Sequence, residues 1–327
     1  MVAHLSLVKM QGLGNDFVMI DGRTLPAFAA DADLAPLAVA VCNRYTGLGA
    51  DGLIVALPSP LAGHDARFIY LNSDGSVGEM CGNGIRCFAH FVRHIGLAPA
   101  DALAIDTLAG TIRPTHLPDG RVQVSMGAPI LEPALIPFAP PNAPHGDPAF
   151  YSLAMDVGLP PHVSYDLKVA AVSMGNPHCI IWQHVQPEEY SLDPATVGPQ
   201  VETHQDFPKK TNVEFAELVS PTHARLVVWE RGCGLTQACG TGACATVVSG
   251  INAGFLTANT PVTVTLPGGD LSIQWSGNPA DAVEMTGPAA ISYTATLHPD
   301  TSLGQVVAST LAQLSSPVDA KVLVSCD

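Results

Sequence analysis

The sequence predicts an α+β fold of two related halves, each a curved sheet around a buried helix. Three observations carry this expectation. Strand-like alternation recurs through both halves with few clear helices between. Four landmarks return in the same order about half a chain later. Each half also carries a cysteine in a glycine frame that opens a run with helical spacing.

In the first half, Val18-Met19-Ile20-Asp21, Gly52-Leu53-Ile54-Val55-Ala56, Arg67-Phe68-Ile69-Tyr70-Leu71 and Arg121-Val122-Gln123-Val124 read as strands. A helix follows the frame Met80-Cys81-Gly82-Asn83-Gly84, through Arg86-Cys87-Phe88-Ala89-His90-Phe91-Val92. The stretch 129–148, with seven prolines, reads as a crossover. In the second half, Cys179-Ile180-Ile181-Trp182, Val213-Glu214-Phe215-Ala216, Ala224-Arg225-Leu226-Val227-Val228-Trp229 and Val262-Thr263-Val264-Thr265-Leu266 read as strands. The second helix follows Ala238-Cys239-Gly240-Thr241-Gly242, through Ala243-Cys244-Ala245-Thr246-Val247-Val248. Cys81 and Cys239 lie 158 positions apart, as do Asn72 and Glu230. Gly14-Asn15-Asp16-Phe17 is echoed by Gly175-Asn176-Pro177-His178 at a spacing of 161. Two such units packed face to face would have a cleft between them. A last run from Leu303 to Leu314, apolar at 303, 306, 307, 311 and 314, predicts an amphipathic helix.

At 327 residues the chain has room for two domains. With 47% hydrophobic and 13% charged residues, its composition is that of a globular protein rather than a disordered one. A formal net charge of −15 opposes binding to phosphate backbones, which sets nucleic acid aside as a partner. The N-terminus lacks a signal-peptide pattern and no apolar run approaches the ~18 residues of a membrane span. A soluble cytoplasmic protein with a small-molecule partner and no membrane partner is expected. The eight cysteines, none in Cys-x-x-Cys, fit reduced thiols better than a disulfide scaffold or a zinc site, and no metal is expected.

Glycines beside each thiol let the backbone approach a ligand, and the first amides of each helix point back at the sulfur. A helix N-terminus is the positive end of its dipole, which favours thiolate and any nearby carboxylate. A thiolate on one face of a carbon and a thiol on the other can remove a proton and return one from the opposite side. That is racemisation or epimerisation. Such thiols titrate as a coupled pair, the helix starts supply donors for charge building on a carboxylate, and no cofactor is required. Gly240-Thr241-Gly242-Ala243-Cys244-Ala245 also fits the dinucleotide fingerprint, but the acid needed about 20 positions on is missing from 259–267. Cys42, Cys87, Cys179, Cys233, Cys244 and Cys326 read as packing or incidental thiols.

Six motifs run in one order from residue 9 to Gly287-Pro288-Ala289. They are Lys9-Met10-Gln11-Gly12-Leu13-Gly14-Asn15-Asp16-Phe17, Asn72-Ser73-Asp74-Gly75-Ser76, the first frame with Ile85-Arg86-Cys87, Met174-Gly175-Asn176-Pro177-His178, Thr211-Asn212-Val213, and Trp229-Glu230-Arg231-Gly232 with the second frame. In these the chain resembles the diaminopimelate epimerase family. The resemblance implies two pseudo-symmetric halves, each a barrel-like, mostly antiparallel sheet around a central helix, with the active site in the cleft between them. It implies an N-terminal half of 1–127 plus 285–298, a C-terminal half of 128–284, and an extension, 299–327, to which no role is assigned. The activity implied is cofactor-independent interconversion of LL- and meso-diaminopimelate in lysine and peptidoglycan biosynthesis. The family and the apolar last helix point to a homodimer.

Carried onto matching positions, the resemblance makes Cys81 and Cys239 the acid/base pair. Backbone amides of Gly82, Asn83, Gly240 and Thr241 then hold the reacting carboxylate, and Asn15, Glu230 and His178 lie near the reacting ammonium. Asn72, Asn176, Asn212 and Arg231 read the distal amino-acid head, where an arginine suits a bidentate carboxylate contact. Where part of the family has Phe-Asp-Gln after Gly47-Leu48-Gly49, this chain has Ala50-Asp51-Gly52. Two other readings stay open. One is a proline racemase or hydroxyproline epimerase, whose first frame has histidine where this chain has Asn83. The other is a non-catalytic amino-acid-binding or redox-sensing protein in which the two thiols form a disulfide.

Overall fold

The structure is a computed structural model. It describes residues 5–25, 34–140, 149–156, 164–188, 190 and 192–314; part of the proline-rich crossover, Cys326 and the rest of 315–327 lie outside them. The chain forms two compact units. One comprises the chain up to Gln11, Asp16–Arg113 and the chain from Ala290; the other comprises Gly12–Asn15 and Pro114–Ala289.

The first unit begins with β1 (Leu5–Gly12), β2 (Asn15–Asp21), α1 (Ala35–Cys42), β3 (Gly52–Leu57) and β4 (Ala66–Asn72). It continues through β5 (Val77–Gly78), α2 (Gly82–His94), β6 (Ile105–Thr107) and β7 (Gly110–Ile112). The second unit contains β8 (Thr115–His116), β9 (Val122–Ser125), β10 (Tyr151–Asp156), β11 (Ser164–Ser173), β12 (Pro177–Trp182) and α3 (Pro194–Glu202). Then come β13 (Asn212–Ser220), β14 (His223–Glu230), β15 (Gly234–Leu235), α4 (Gly240–Asn252), β16 (Val262–Leu266), β17 (Gly269–Gln274) and β18 (Glu284–Gly287). β19 (Ala290–Leu297) and α5 (Ser302–Leu314) return to the first unit.

The sheets have matching strand orders, β19-β1-β2-β3-β4-β6-β7 and β10-β11-β12-β13-β14-β16-β17-β18-β9-β8. Parallel pairings fall at equivalent places, β2 with β3 and β4 with β6 in one, β12 with β13 and β14 with β16 in the other. The remaining ladders are antiparallel. The sequence repeat is therefore a repeat of topology. In both units the cysteine-led helix has 13 residues and follows the strand that ends on Asn72 or Glu230.

Strand periodicity assigns each sheet two faces. On β3, Leu53 and Val55 enter an apolar cluster with α1, while Ile54 meets Gly84 of α2. On β13, Val213 and Phe215 enter a cluster with Val197 and Val201 of α3, while Glu214 meets Gly242 of α4. Aromatic packing seats α2, with Phe88 edge-on to Phe68 of β4 at 5.1 Å. A polar contact helps seat α4, where Trp182 Nε1 donates to Ser249 Oγ at 3.0 Å.

Neither sheet closes into a barrel among the described residues. The compact units divide after Arg113 and before Ala290, and the pairing of β9 with β18 carries 122–125 into the second sheet. The extension also has a place. In α5, Val307 and Leu311 are buried in the α1 cluster with Leu303 packed against it, whereas Val306 is 47% exposed.

Leu311→Ala is expected to cost about 2–4 kcal/mol of stability through a core cavity, and Val306→Ala less than about 0.5 kcal/mol, in denaturant unfolding. Equal effects of the two would show that α5 does not belong to this core.

Candidate active site

Each cysteine occupies the position just before its helix, with an extended backbone at φ −141° for Cys81 and −122° for Cys239. That is where serine or aspartate ordinarily stands, its oxygen accepting an amide hydrogen of the first turn. Here sulfur accepts it. Gly84 N–H donates to Cys81 Sγ at 3.4 Å and Gly242 N–H to Cys239 Sγ at 3.4 Å. The cap carbonyls take the next intrahelical bonds, from Ile85 and Ala243. First-turn amides of Gly82, Asn83, Gly240 and Thr241 precede the intrahelical ladder, which leaves them oriented toward the space beside each thiol.

In the first unit, Cys81 is half-buried and its loop is braced by Arg86, a fully buried side chain. Arg86 Nη1 donates to Gly82 O at 3.1 Å and Nη2 to Asn83 Oδ1 at 2.7 Å, so the Asn83 side chain serves the loop. Asn72 ends β4 with its amide engaged in its own turn, Oδ1 accepting from Tyr70 Oη at 2.6 Å and Nδ2 donating to Ser76 Oγ at 2.9 Å. Gly52, where part of the family has glutamine, lies beneath the Tyr70 ring; a Cβ there would come within 2.6 Å of it. Asp51 accepts from Arg44 at 2.7 Å and from Asp16 N–H at 3.1 Å, in an ion network that includes Lys9.

In the second unit, the structure gathers Asn176, His178, Asn212, Glu230, Arg231, Cys239, Gly240 and Thr241, and Asn15 lies in the turn segment that belongs to this unit. Asn212, at the start of β13, donates through Nδ2 to Pro177 O at 3.0 Å and accepts Arg231 N–H through Oδ1 at 2.9 Å. It thus ties the start of β12 to the end of β14. Arg231 is exposed, with Nη1 donating to Lys209 O at 3.0 Å. Glu230 accepts from Thr236 Oγ1 at 2.6 Å. Thr241 Oγ1 lies 3.5 Å from Cys239 Sγ.

Behind Cys239 stands a fully buried pair, of which the sequence reading named His178 but not Glu214. His178 Nδ1 lies 2.7 Å from Glu214 Oε1, and its Nε2 lies 3.0 Å from Asn176 Oδ1. Glu214 reaches there because Gly242 has no Cβ; one would lie 2.8 Å from Oε1. Burial raises the proton affinity of the Glu214 carboxyl, partly offset by His178. Burial likewise lifts the Cys239 thiol well above its ordinary range, reinforced by the carboxylates of Glu230 and Glu214. Cys87, six residues beyond Cys81 in the same helix, is buried and pushed up to about 12, the behaviour of an inert packing thiol.

Arg86 could have been found in the sequence as a lone cation inside an apolar helical run. Glu214 carried a weaker signal, an acid directly after the Thr211-Asn212-Val213 motif. Among the described residues no cluster of three or more His, Cys, Asp or Glu is placed to hold a metal ion, and no helix is long and apolar enough to cross a membrane.

A family model for diaminopimelate epimerase matches residues 7–132 and 170–292. The diaminopimelate epimerase of Halothermothrix orenii is 43% identical over 295 residues, 89% of this chain and 97% of its own. That of Moorella thermoacetica is 46% identical over 292 residues, 87% of this chain and 96% of its own. Among solved structures, a hydroxyproline epimerase from Agrobacterium vitis is similar with a TM-score of 0.64 at 14% identity, covering 92% of this chain and 94% of the other. A PhzF-family phenazine biosynthesis protein from Bacillus anthracis is similar at 0.62 and 12%, covering 90% and 99%. At those identities the structural likeness concerns the fold. The sequence match over both units, with a cysteine capping the equivalent helix in each, shows that the chain belongs to the diaminopimelate epimerase family.

Proposed function

We propose that the protein interconverts LL- and meso-diaminopimelate without a cofactor, Cys81 and Cys239 exchanging protons with the α-carbon from opposite faces. One observation supports this above the rest: two units of the same strand order each present a thiol at the start of an equivalent helix. Cys239, buried beside two carboxylates, is the protonated member in the free protein. Cys81, half-exposed at its helix terminus, is the base for the first proton transfer in that state. Amides of Gly82, Asn83, Gly240 and Thr241 stabilise the charge that develops on the reacting carboxylate.

Glu230 and Asn15 attend the reacting ammonium. Arg231 reads the distal carboxylate, positioned by the Asn212 contact to its backbone. Asn176 binds the distal head directly; His178, with both ring nitrogens engaged, acts through it. Asn72 shapes the turn that leads to Cys81. The reading includes a cytoplasmic setting, which keeps thiols reduced, and a homodimer.

Reduced protein given LL-diaminopimelate without pyridoxal phosphate is expected to form the meso isomer, followed by chiral chromatography. No conversion would overturn the reading, and conversion of proline instead would select the alternative substrate. Cys81→Ser and Cys239→Ser should each lose at least about 10²-fold in kcat, the scale of general acid–base catalysis, and near-normal turnover by either contradicts the two-thiol mechanism.

Thiolate absorbance provides a separate check. In the difference titration between wild type and Cys239→Ser, the Cys239 signal should still be rising above pH 9.0, the ordinary thiol value. Glu230→Gln removes one carboxylate and should shift that rise to lower pH. A midpoint at or below the ordinary value would contradict the assignment of Cys239 as the resting acid.

A further inference from the structure

Glu214 is a buried carboxyl that the two-thiol chemistry does not use. It sits on β13, two residues after Asn212, on the face covered by α4. In the parallel pairing of β12 with β13, His178 lies opposite Asn212 and Ile180 opposite Glu214, so Glu214 meets the imidazole diagonally. Both side chains are fully buried, and Glu214 Oε2 has no hydrogen-bond partner among the described residues. The hydrogen-bonded chain runs from Glu214 Oε1 through His178 to Asn176 Oδ1, and Asn176 is its first half-exposed member.

Both ring nitrogens face oxygen atoms. A neutral imidazole with no proton shared from Glu214 could serve only one of them. With one proton shared between Nδ1 and Oε1, wherever it resides, Nε2 keeps its hydrogen and donates it to Asn176. A bare carboxylate beside a neutral imidazole would leave an uncompensated buried charge, the costliest arrangement available.

We propose that Glu214 is a positioning residue: through its shared proton it keeps His178 Nε2–H donated to Asn176 Oδ1, which fixes the Asn176 amide with its Nδ2 donors turned toward the distal carboxylate of the substrate. The burial-raised proton affinity of Glu214 agrees with this. The proposal rests on the reading of Asn176 as a substrate contact, and its test separates the two.

Nitrogen-15 NMR of the histidine side chains in the wild-type protein, with the His178 signal identified by its loss in His178→Gln, should show Nε2 protonated from about pH 6 to about pH 9. A bare Nε2 in that range overturns the proposal, and this needs no variant of Glu214 to fold. Glu214→Leu should raise KM for diaminopimelate about tenfold, with a smaller change in kcat, the scale of one hydrogen bond to a charged group. Glu214→Gln, whose amide can donate to Nδ1 and keep the hydrogen on Nε2, should recover most of that loss. Wild-type KM in Glu214→Leu, or a Gln variant no better than the Leu one, overturns the relay if Asn176→Ala does raise KM. An Asn176→Ala protein with unchanged KM instead overturns the substrate role of Asn176, while the protonation of Nε2 stands on its own measurement.

Discussion

A sulfur atom caps the first turn of a helix in each unit, and that constraint sets the position of both thiols. The cap fixes the thiol at the positive end of the helix, 3.4 Å from the amide of Gly84 or Gly242 and beside the other first-turn amides. Sulfur is a weak acceptor, so this bond leaves the thiol available for proton exchange while limiting its rotation. Glycine in the first turn is part of the same constraint. A Cβ at Gly242 would come within 2.8 Å of Glu214 Oε1, and one at Gly84 would lie 3.2 Å from both Ile54 Cδ1 and Cys81 Cβ, so a larger residue at either place would require its neighbours to shift.

The two caps share geometry but not surroundings. Around Cys81 the loop is braced by the buried Arg86, which holds Gly82 O and Asn83 Oδ1. Around Cys239 the sulfur is buried beside two carboxylates. Burial and negative charge both favour the neutral thiol at Cys239, the form that an acid in the proposed reaction needs.

Much of this was legible in the sequence because the signals are local. Glycine frames, strand alternation and helical spacing act over a few residues, so the strands from Val18 to Leu266 and both cysteine-led helices stand where the residues place them. The repeat was legible because duplicated topology keeps its spacing. What stayed hidden depends on contacts distant in sequence. Glu214 alternates with Val213 and Phe215 and reads as a solvent-side position; only α4, laid across that face, buries it. The resemblance gives Asn72 and Asn212 to the distal amino-acid head, yet whether an amide serves a ligand or its own scaffold depends on neighbours such as Tyr70 and Arg231. β9 pairs with β18, a partner about 160 positions away that no local pattern records. The amphipathic pattern of α5 was visible, but not its seat on the α1 cluster.

The central claim is that two different thiols act on one α-carbon, and isotope entry tests it most directly. In D2O, early in the conversion of LL-diaminopimelate, the acid on the far face carries solvent deuterium while the base has just taken protium from the substrate. The account predicts that the first meso product carries deuterium at the inverted carbon while recovered substrate keeps its protium. Product that retains the substrate's own hydrogen, or substrate that exchanges as fast as product forms, would contradict it.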